Sequence, residues 1–281
     1  MKYILFVLST LTLACGDVEK TNQNEKESQK ATSVKESPAK KPSLEEIKKA
    51  TKTPQKIDIK QIEKKKTGDP DSTDPLLNPE LAKKAAPANF NVLVSTTKGD
   101  FLVEVHRDWA PNGVDQFYSL VKAGYYTEIA AFRVIGGFMA QFGMHGDPEI
   151  NTIWRQQTIQ DDPVRESNTR GYVTFAKTNM PNSRSTQLFI NFGNNKNLDS
   201  MGFAPIGKVV DEPGQGGGMS IVDSLYADYG EGAPRGKGPN QGRIGSKGNE
   251  YLKAEFPNLD YIKSIRVCGE DKIENAPEYC P

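Results

Sequence analysis

The sequence predicts a mainly β fold, a closed antiparallel barrel carrying two helices and set behind a long polar leader. Three observations predict it. From Phe90 onward, short apolar runs alternate with Gly-rich turns, which is the pattern of many short strands. Only two segments of that part carry apolar residues at helical spacing. The stretch between Val7 and Asn89 contains no Phe, Tyr or Trp and cannot bury enough apolar area to offset chain entropy. One globular domain is therefore expected over residues 88–268, and about 190 residues suffice for a single core.

The leader comes first along the chain. Residues 1–14 read as a secretion signal: Lys2 gives a positive start, Tyr3–Leu8 and Leu11–Leu13 are apolar, and Ala14 is small. This stretch is too short to span a bilayer. Its end, Leu11-Thr12-Leu13-Ala14-Cys15, resembles the bacterial lipoprotein signal, in which the Cys is lipidated. The resemblance implies a lipid anchor on Cys15 and a place on a membrane surface, outside the cytoplasm, in the cell envelope. The usual Leu three positions before the Cys is Thr12 here. Residues 15–87 mix Lys, Glu, Pro, Ser and Thr and are expected to form a flexible, disordered tether.

The domain elements follow in order. Asn91–His106 alternates like a hairpin turned by Lys98-Gly99-Asp100. Val114, Phe117, Leu120 and Val121 have helical spacing, and Gly124 stands where a helix ends. A second short helix is expected over Ser220–Tyr226. Strands are expected at Ala131–Ile135, Phe138–Phe142, Tyr172–Ala176, Leu188–Phe192, Ile206–Val210 and Ile262–Val267. The tail covers residues 269–281.

Composition excludes several classes. With 36 Lys+Arg against 36 Asp+Glu, the chain lacks the basic excess of a nucleic-acid binder. Two His and three Cys give no clustered zinc ligands, so no metal is expected. Asp161-Asp162 and Glu166 read as loop charges, since nothing nearby completes a hydrolytic site. Gly214–Gly218 is not followed by Gly-Lys-Ser/Thr, so no phosphate loop is expected.

Three segments read together carry the chemistry: Phe132-Arg133-Val134-Ile135-Gly136-Gly137-Phe138-Met139-Ala140-Gln141; Phe175-Ala176 with Ser185-Thr186-Gln187-Leu188-Phe189; and Asn197-Leu198-Asp199 with Gly202-Phe203-Ala204. Strand alternation puts Arg133, Ile135, Met139 and Gln141 on one face. A bend at Gly136-Gly137 would bring Phe138 to it.

These motifs, in this order from about Asn91 to Val267, resemble the cyclophilin-type peptidyl-prolyl isomerases of the bacterial kind. The resemblance implies an eight-stranded closed barrel capped by two helices, with a groove on its outside. It implies Arg133 as the catalytic arginine. Phe138, Met139, Phe189 and Leu198 would be the apolar proline pocket. Gln141, Ala176 and Gln187 would bind the substrate backbone or line the groove, and Phe203 stands where the family has a pocket His. The expected partners are proline-containing polypeptides whose folding the enzyme assists, with no cofactor.

The sequence departs from the family pattern in places. Phe132 replaces a His, Gly136 a Pro, and Asn197 a Trp; the last implies weak cyclosporin binding. Two further readings stay open: a non-catalytic proline-peptide binding module or chaperone of the envelope, and a structural component whose groove is blocked by insertions near residues 151–160 or 229–248. Cys268 and Cys280 either pair, as cysteines of secreted chains often do, or remain free thiols.

Overall fold

The structure, a computed structural model, describes residues 68–211, 217–271 and 280. The signal segment, Cys15 and the tether as far as residue 67 lie outside the described residues. Nine strands run in the order β1 (Asn89–Thr96), β2 (Asp100–His106), β3 (Ile129–Ala130), β4 (Arg133–Ile135), β5 (Met139–Phe142), β6 (Tyr172–Phe175), β7 (Leu188–Asn191), β8 (Pro205–Val209) and β9 (Tyr261–Val267). They form one antiparallel sheet ordered β3-β9-β1-β2-β8-β6-β7-β5-β4. Nine strands replace the eight expected, because a two-residue strand, β3, precedes the run expected from Ala131, and that run is strand only from Arg133. Ala131 and Phe132 separate β3 from β4, and these two strands are the opposite edges of the sheet. A link that short spans at most about 10 Å, so the sheet must curl until its edges approach. No ladder joins β3 to β4 among the described residues.

Alternation decides which side chains enter the core. Val92 and Val94, Val103 and Val105, Val134, Ala140, Phe142, Leu188 and Ile190 all belong to one buried cluster. Helix α1 (Pro111–Lys122) packs Val114, Phe117, Leu120 and Val121 into the same cluster. Its first turn lacks a capping side chain at Ala110. Asp162 supplies the acceptors instead, taking hydrogen bonds from Asn112 N (3.0 Å) and Gly113 N (2.8 Å). Asp162 also pairs with Arg184 Nη1 at 3.0 Å, the two side chains being 2% and 1% exposed. Asp162, read with Asp161 as a loop charge, thus holds a helix start to a buried arginine.

Four α-helices appear among the described residues, not two: α1, α2 (Pro148–Trp154), α3 (Gly218–Asp223) and α4 (Gln241–Glu255). Helix α4 hides in the sequence because Gly242, Gly245 and Gly248 depress its propensity. It is kinked at Gly248, where φ is +58°. A Cβ there would sit 1.8 Å from the Gly146 carbonyl, so only glycine fits. Ile244, Tyr251, Leu252 and Phe256 of this segment form a second cluster with Phe132 and Met144. Phe132, the residue before Arg133, therefore packs in the same cluster as α4.

The packed body also starts earlier than residue 88. Ala82 is buried in the main cluster, Leu76 and Leu77 pack on it, and Trp154 donates its indole N–H to the Leu76 carbonyl at 3.0 Å. At the other end, Cys268 and Cys280 are joined by a disulfide with Cα atoms 4.9 Å apart. Cys280 is buried against Leu93 and Leu102. No helix among the described residues is long and apolar enough to cross a membrane.

Candidate functional site

The residues of the curled sheet that do not enter the main core face outward together. Strands β4 and β5 form a hairpin in which Arg133 lies opposite Gln141 and Ile135 opposite Met139. Gly136-Gly137 is the turn of that hairpin, with Gly137 at φ +73°, so it does not bend a continuous strand. On the next strand, Phe189 lies opposite Gln141. The intervening Val134, Ala140 and Ile190 point into the core. One face of three strands thus carries Arg133, Ile135, Met139, Gln141 and Phe189.

An apolar trough results. Met139, Phe189 and Leu198 are buried in a cluster separate from the main core, with Ile135, Phe138, Ala176 and Phe203 packed against them. Phe203 meets Phe189 edge-on, with ring centroids 5.9 Å apart. Leu198 sits on a 3-10 turn spanning Lys196–Met201. Asn197 on the same turn is exposed.

A buried network of asparagines beneath the trough fixes its walls, and sequence reasoning missed it. Asn195 Nδ2 donates to the Phe138 carbonyl at 2.8 Å and to Asn191 Oδ1 at 2.7 Å. Asn168 Nδ2 donates to the Phe203 carbonyl and to Asp199 Oδ1, both at 2.8 Å. Burial alone would raise the Asp199 carboxyl, but hydrogen bonds from Ser167 and Asn168 hold it below its ordinary value.

Arg133 stands at the edge of this trough. Its guanidinium carbon is 5.6 Å from the Phe138 ring centroid, and Nη1 lies 3.6 Å from the Met139 sulfur. Nη1 also donates to Gln141 Oε1 at 3.0 Å. Gln141 Nε2 in turn donates to Gln187 Oε1 at 2.8 Å, and the Gln187 carbonyl accepts from Ala176 N at 2.8 Å. The predicted polar residues therefore form one chain of contacts leading from the arginine.

One further group completes the arginine's surroundings. Glu231 takes Nε at 2.7 Å and Nη2 at 2.8 Å in a two-point ion pair. The Arg133 guanidinium beside it holds the Glu231 carboxyl below the usual carboxylate range. Sequence reasoning singled out the segment 229–248 as a possible plug but not this residue. The available signal was that Glu231 is the one acid in the Gly- and Pro-rich run from Tyr229 to Asn240. The segment borders the groove without filling it. Beside the trough a cavity of about 480 Å³ remains open, lined by Arg133, Gln141, Ala176, Gln187, Arg235 and Gln241 among others.

The arrangement offers a cationic donor at the rim of an apolar trough, with amide side chains alongside. Among the described residues, no group of three or more His, Cys, Asp or Glu is placed to hold a metal ion. Comparison with known proteins bears on the family of the chain. Residues 91–242 match the family model described as "Cyclophilin type peptidyl-prolyl cis-trans isomerase/CLD". Peptidyl-prolyl cis-trans isomerase B of Escherichia coli is 30% identical over 142 residues, covering 48% of this chain and 82% of that protein. A probable peptidyl-prolyl cis-trans isomerase of Brucella abortus is 33% identical over 156 residues, covering 52% and 76%. Among solved structures, a cyclophilin-type isomerase of Cryptosporidium parvum matches with a TM-score of 0.46 and 18% identity, covering 65% of this chain and 99% of that one.

Proposed function

The chain belongs to the cyclophilin-type peptidyl-prolyl cis-trans isomerase family, and from that premise we propose that the outer trough is where it acts, with Arg133 as the catalytic donor. The activity is rotation about X–Pro peptide bonds. Resonance gives such amide bonds a barrier of about 18–20 kcal/mol, and uncatalysed exchange takes tens to hundreds of seconds. No covalent bond forms or breaks. In the twisted state the proline nitrogen becomes pyramidal and recovers a lone pair. A guanidinium N–H can donate to that lone pair only then, so the contact lowers the barrier beyond mere binding.

Phe138, Met139, Phe189, Leu198 and Phe203 would hold the proline ring and exclude competing water. Gln141, Gln187 and Ala176 would hold the flanking backbone while the other side turns. Each tenfold in rate needs about 1.36 kcal/mol, so one charge-assisted hydrogen bond with orientation is a sufficient source for several decades. The observation that carries this assignment is the position of the guanidinium, 5.6 Å from the Phe138 ring and outside the sealed core.

The experiment is an X–Pro exchange assay on the full chain and on Arg133→Ala. The wild type is expected to be faster by at least about tenfold, or 1.4 kcal/mol. Equal rates would remove Arg133 from the chemistry. Exchange no faster than the uncatalysed rate, together with peptide binding seen by NMR, would favour the binding-module reading instead.

The setting is part of the same proposal. The lipoprotein-like end at Cys15 supports a bacterial, extracytoplasmic enzyme anchored by lipid to a membrane surface, with a flexible tether to the domain, acting on proline-containing clients during folding. Mass spectrometry of the mature N-terminus tests it: a lipid mass on Cys15 is expected, and an unmodified N-terminus would remove the anchor. The short link between β3 and β4 supports reading the curled sheet as a barrel closed around the main core.

A further inference from the structure

The Arg133–Glu231 pair joins residues 98 positions apart, and the segment that carries Glu231 is folded around that contact. Gly238 N donates to the Glu231 carbonyl at 2.9 Å, and Ala233 N donates to the Gly238 carbonyl at 3.0 Å. A Cβ on Gly236 would fall 2.2 Å from the Glu231 carbonyl, so the loop closes this tightly only with glycine there. Asn240 ties the loop to α4: its Nδ2 donates to the Ala233 carbonyl at 3.3 Å, and its Oδ1 accepts from Arg243 N at 3.0 Å. Helix α4 is seated in turn on Phe132, the residue next to Arg133. The carboxylate is presented by a braced arm.

The edge it grips matters. Of the three guanidinium nitrogens, Nη1 faces Met139 and Gln141. Glu231 takes the Nε–Nη2 edge, which lies opposite Nη1 in the planar fork. The carboxylate thus holds the arginine from behind the trough. A guanidinium has five N–H donors. Three go to oxygens of Glu231 and Gln141, one lies against the weak sulfur acceptor, and the fifth has no partner among the described residues. Donors therefore remain for a substrate while the plane of the fork is fixed.

We infer that Glu231 is a positioning residue for isomerisation, fixing the Arg133 guanidinium by its rear edge so that Nη1 is already aimed into the trough. This rests on Arg133 being the donor, as proposed above. A free arginine side chain keeps considerable rotamer entropy, which must be surrendered when it meets the twisted peptide bond. A two-point carboxylate removes that cost before substrate arrives.

The test is steady-state isomerase kinetics on the full chain for wild type, Glu231→Ala, Glu231→Gln, Arg133→Ala and the Arg133→Ala/Glu231→Ala double variant. Glu231→Ala is expected to lower kcat about tenfold, equivalent to about 1.4 kcal/mol, with KM within about twofold because the apolar trough is untouched. Glu231→Gln, keeping one acceptor oxygen, is expected to fall between. In the Arg133→Ala background, removing Glu231 should change nothing further. The Arg133 Nε–H resonance should exchange slowly in wild type and rapidly in Glu231→Ala. A Glu231→Ala enzyme as fast as wild type or faster would make the carboxylate irrelevant or a brake, and overturn the inference. So would an equal loss in both backgrounds, which would mark a structural role. Wild type no faster than Arg133→Ala is a separate result: it defeats the assignment of Arg133 and this inference with it.

Discussion

Asp162→Ala should destabilise the domain severely without touching the trough. Asp162 takes two backbone N–H groups of the first turn of α1 and the Nη1 of Arg184. Losing a helix cap costs about 0.5–2 kcal/mol. Breaking a buried ion pair by removing one partner costs about 3–5 kcal/mol, because the other charge is left buried. The two losses share one carboxylate oxygen and do not simply add. Asp161 Oδ1 also lies 3.5 Å from Arg184 Nε, close enough to temper the stranded charge although no hydrogen bond forms. A loss of about 4 kcal/mol is the working figure, against about 5–15 kcal/mol of total stability. At about 2–4 °C per kcal/mol for a domain of this size, Tm should drop by about 8–16 °C. Urea and thermal unfolding followed by tryptophan fluorescence would read it, since Trp154 is 1% exposed in the folded state. Adding Arg184→Met should recover a large part, because the stranded charge is gone and an apolar chain of similar length fills its place. A loss under about 1 kcal/mol, or no recovery in the double variant, would refute the account of Asp162 as the hub of this pair; such small values are typical of exposed ion pairs.

Two further predictions concern the site. Phe203→Ala removes the edge-on contact with Phe189, worth about 0.5–1.5 kcal/mol, and should raise KM for an X–Pro peptide roughly 2–10-fold with kcat little changed; an unchanged KM would place the proline elsewhere. The pH dependence of kcat/KM should also carry the mark of Glu231, which is faced by Arg133, by Arg235 at 3.9 Å and by its neighbour's Gly232 N–H at 2.9 Å. Because its folded carboxyl titrates below the unfolded value, the contact persists at and above that value and is lost only as pH falls through the lowered one. Wild-type kcat/KM should stay level down past the ordinary glutamate range near about 4.3 and drop only below it, while Glu231→Gln shows no such drop. Circular dichroism at each pH would separate this from unfolding, and a wild-type decline centred above the ordinary range would contradict the assignment.

What the sequence discloses about this site follows the range of the contacts. Arg133, Met139 and Gln141 are within nine residues of one another, and a period of two puts them on a common face. The β4–β5 pairing bears that out, with Arg133 opposite Gln141. The hairpin at Lys98-Gly99-Asp100 is legible for the same local reason, joining β1 to β2. Asn168 and Asn195 carry no periodic signal, because their value lies in reaching backbone carbonyls of other loops, Phe203 and Phe138. Helix α4 is obscured by three glycines that weaken propensity, one of them required by the approach of Gly146. Tertiary packing on Phe132 stabilises it instead. Asp162 is the same kind of case: its role exists only once a helix start and Arg184 are brought to it from distant parts of the chain.

The placement of the site on the outer face has a physical reason. The inward positions of β4, β5 and β7 are Val134, Ala140, Phe142, Leu188 and Ile190, fully committed to the core. A guanidinium on that side would have to be desolvated completely, at several kcal/mol, with an opposite charge buried beside it; the domain maintains one such arrangement at Arg184 and Asp162, where it secures a helix. On the outer face the Arg133 side chain is 16% exposed, dry enough for a hydrogen bond to count, with Glu231 beside it as counter-ion. That position leaves a long side chain loosely held, since a three-residue strand supports only its base. Gln141 from the adjacent strand supplies one restraint, and the other arrives from outside the sheet on the arm that leads into α4.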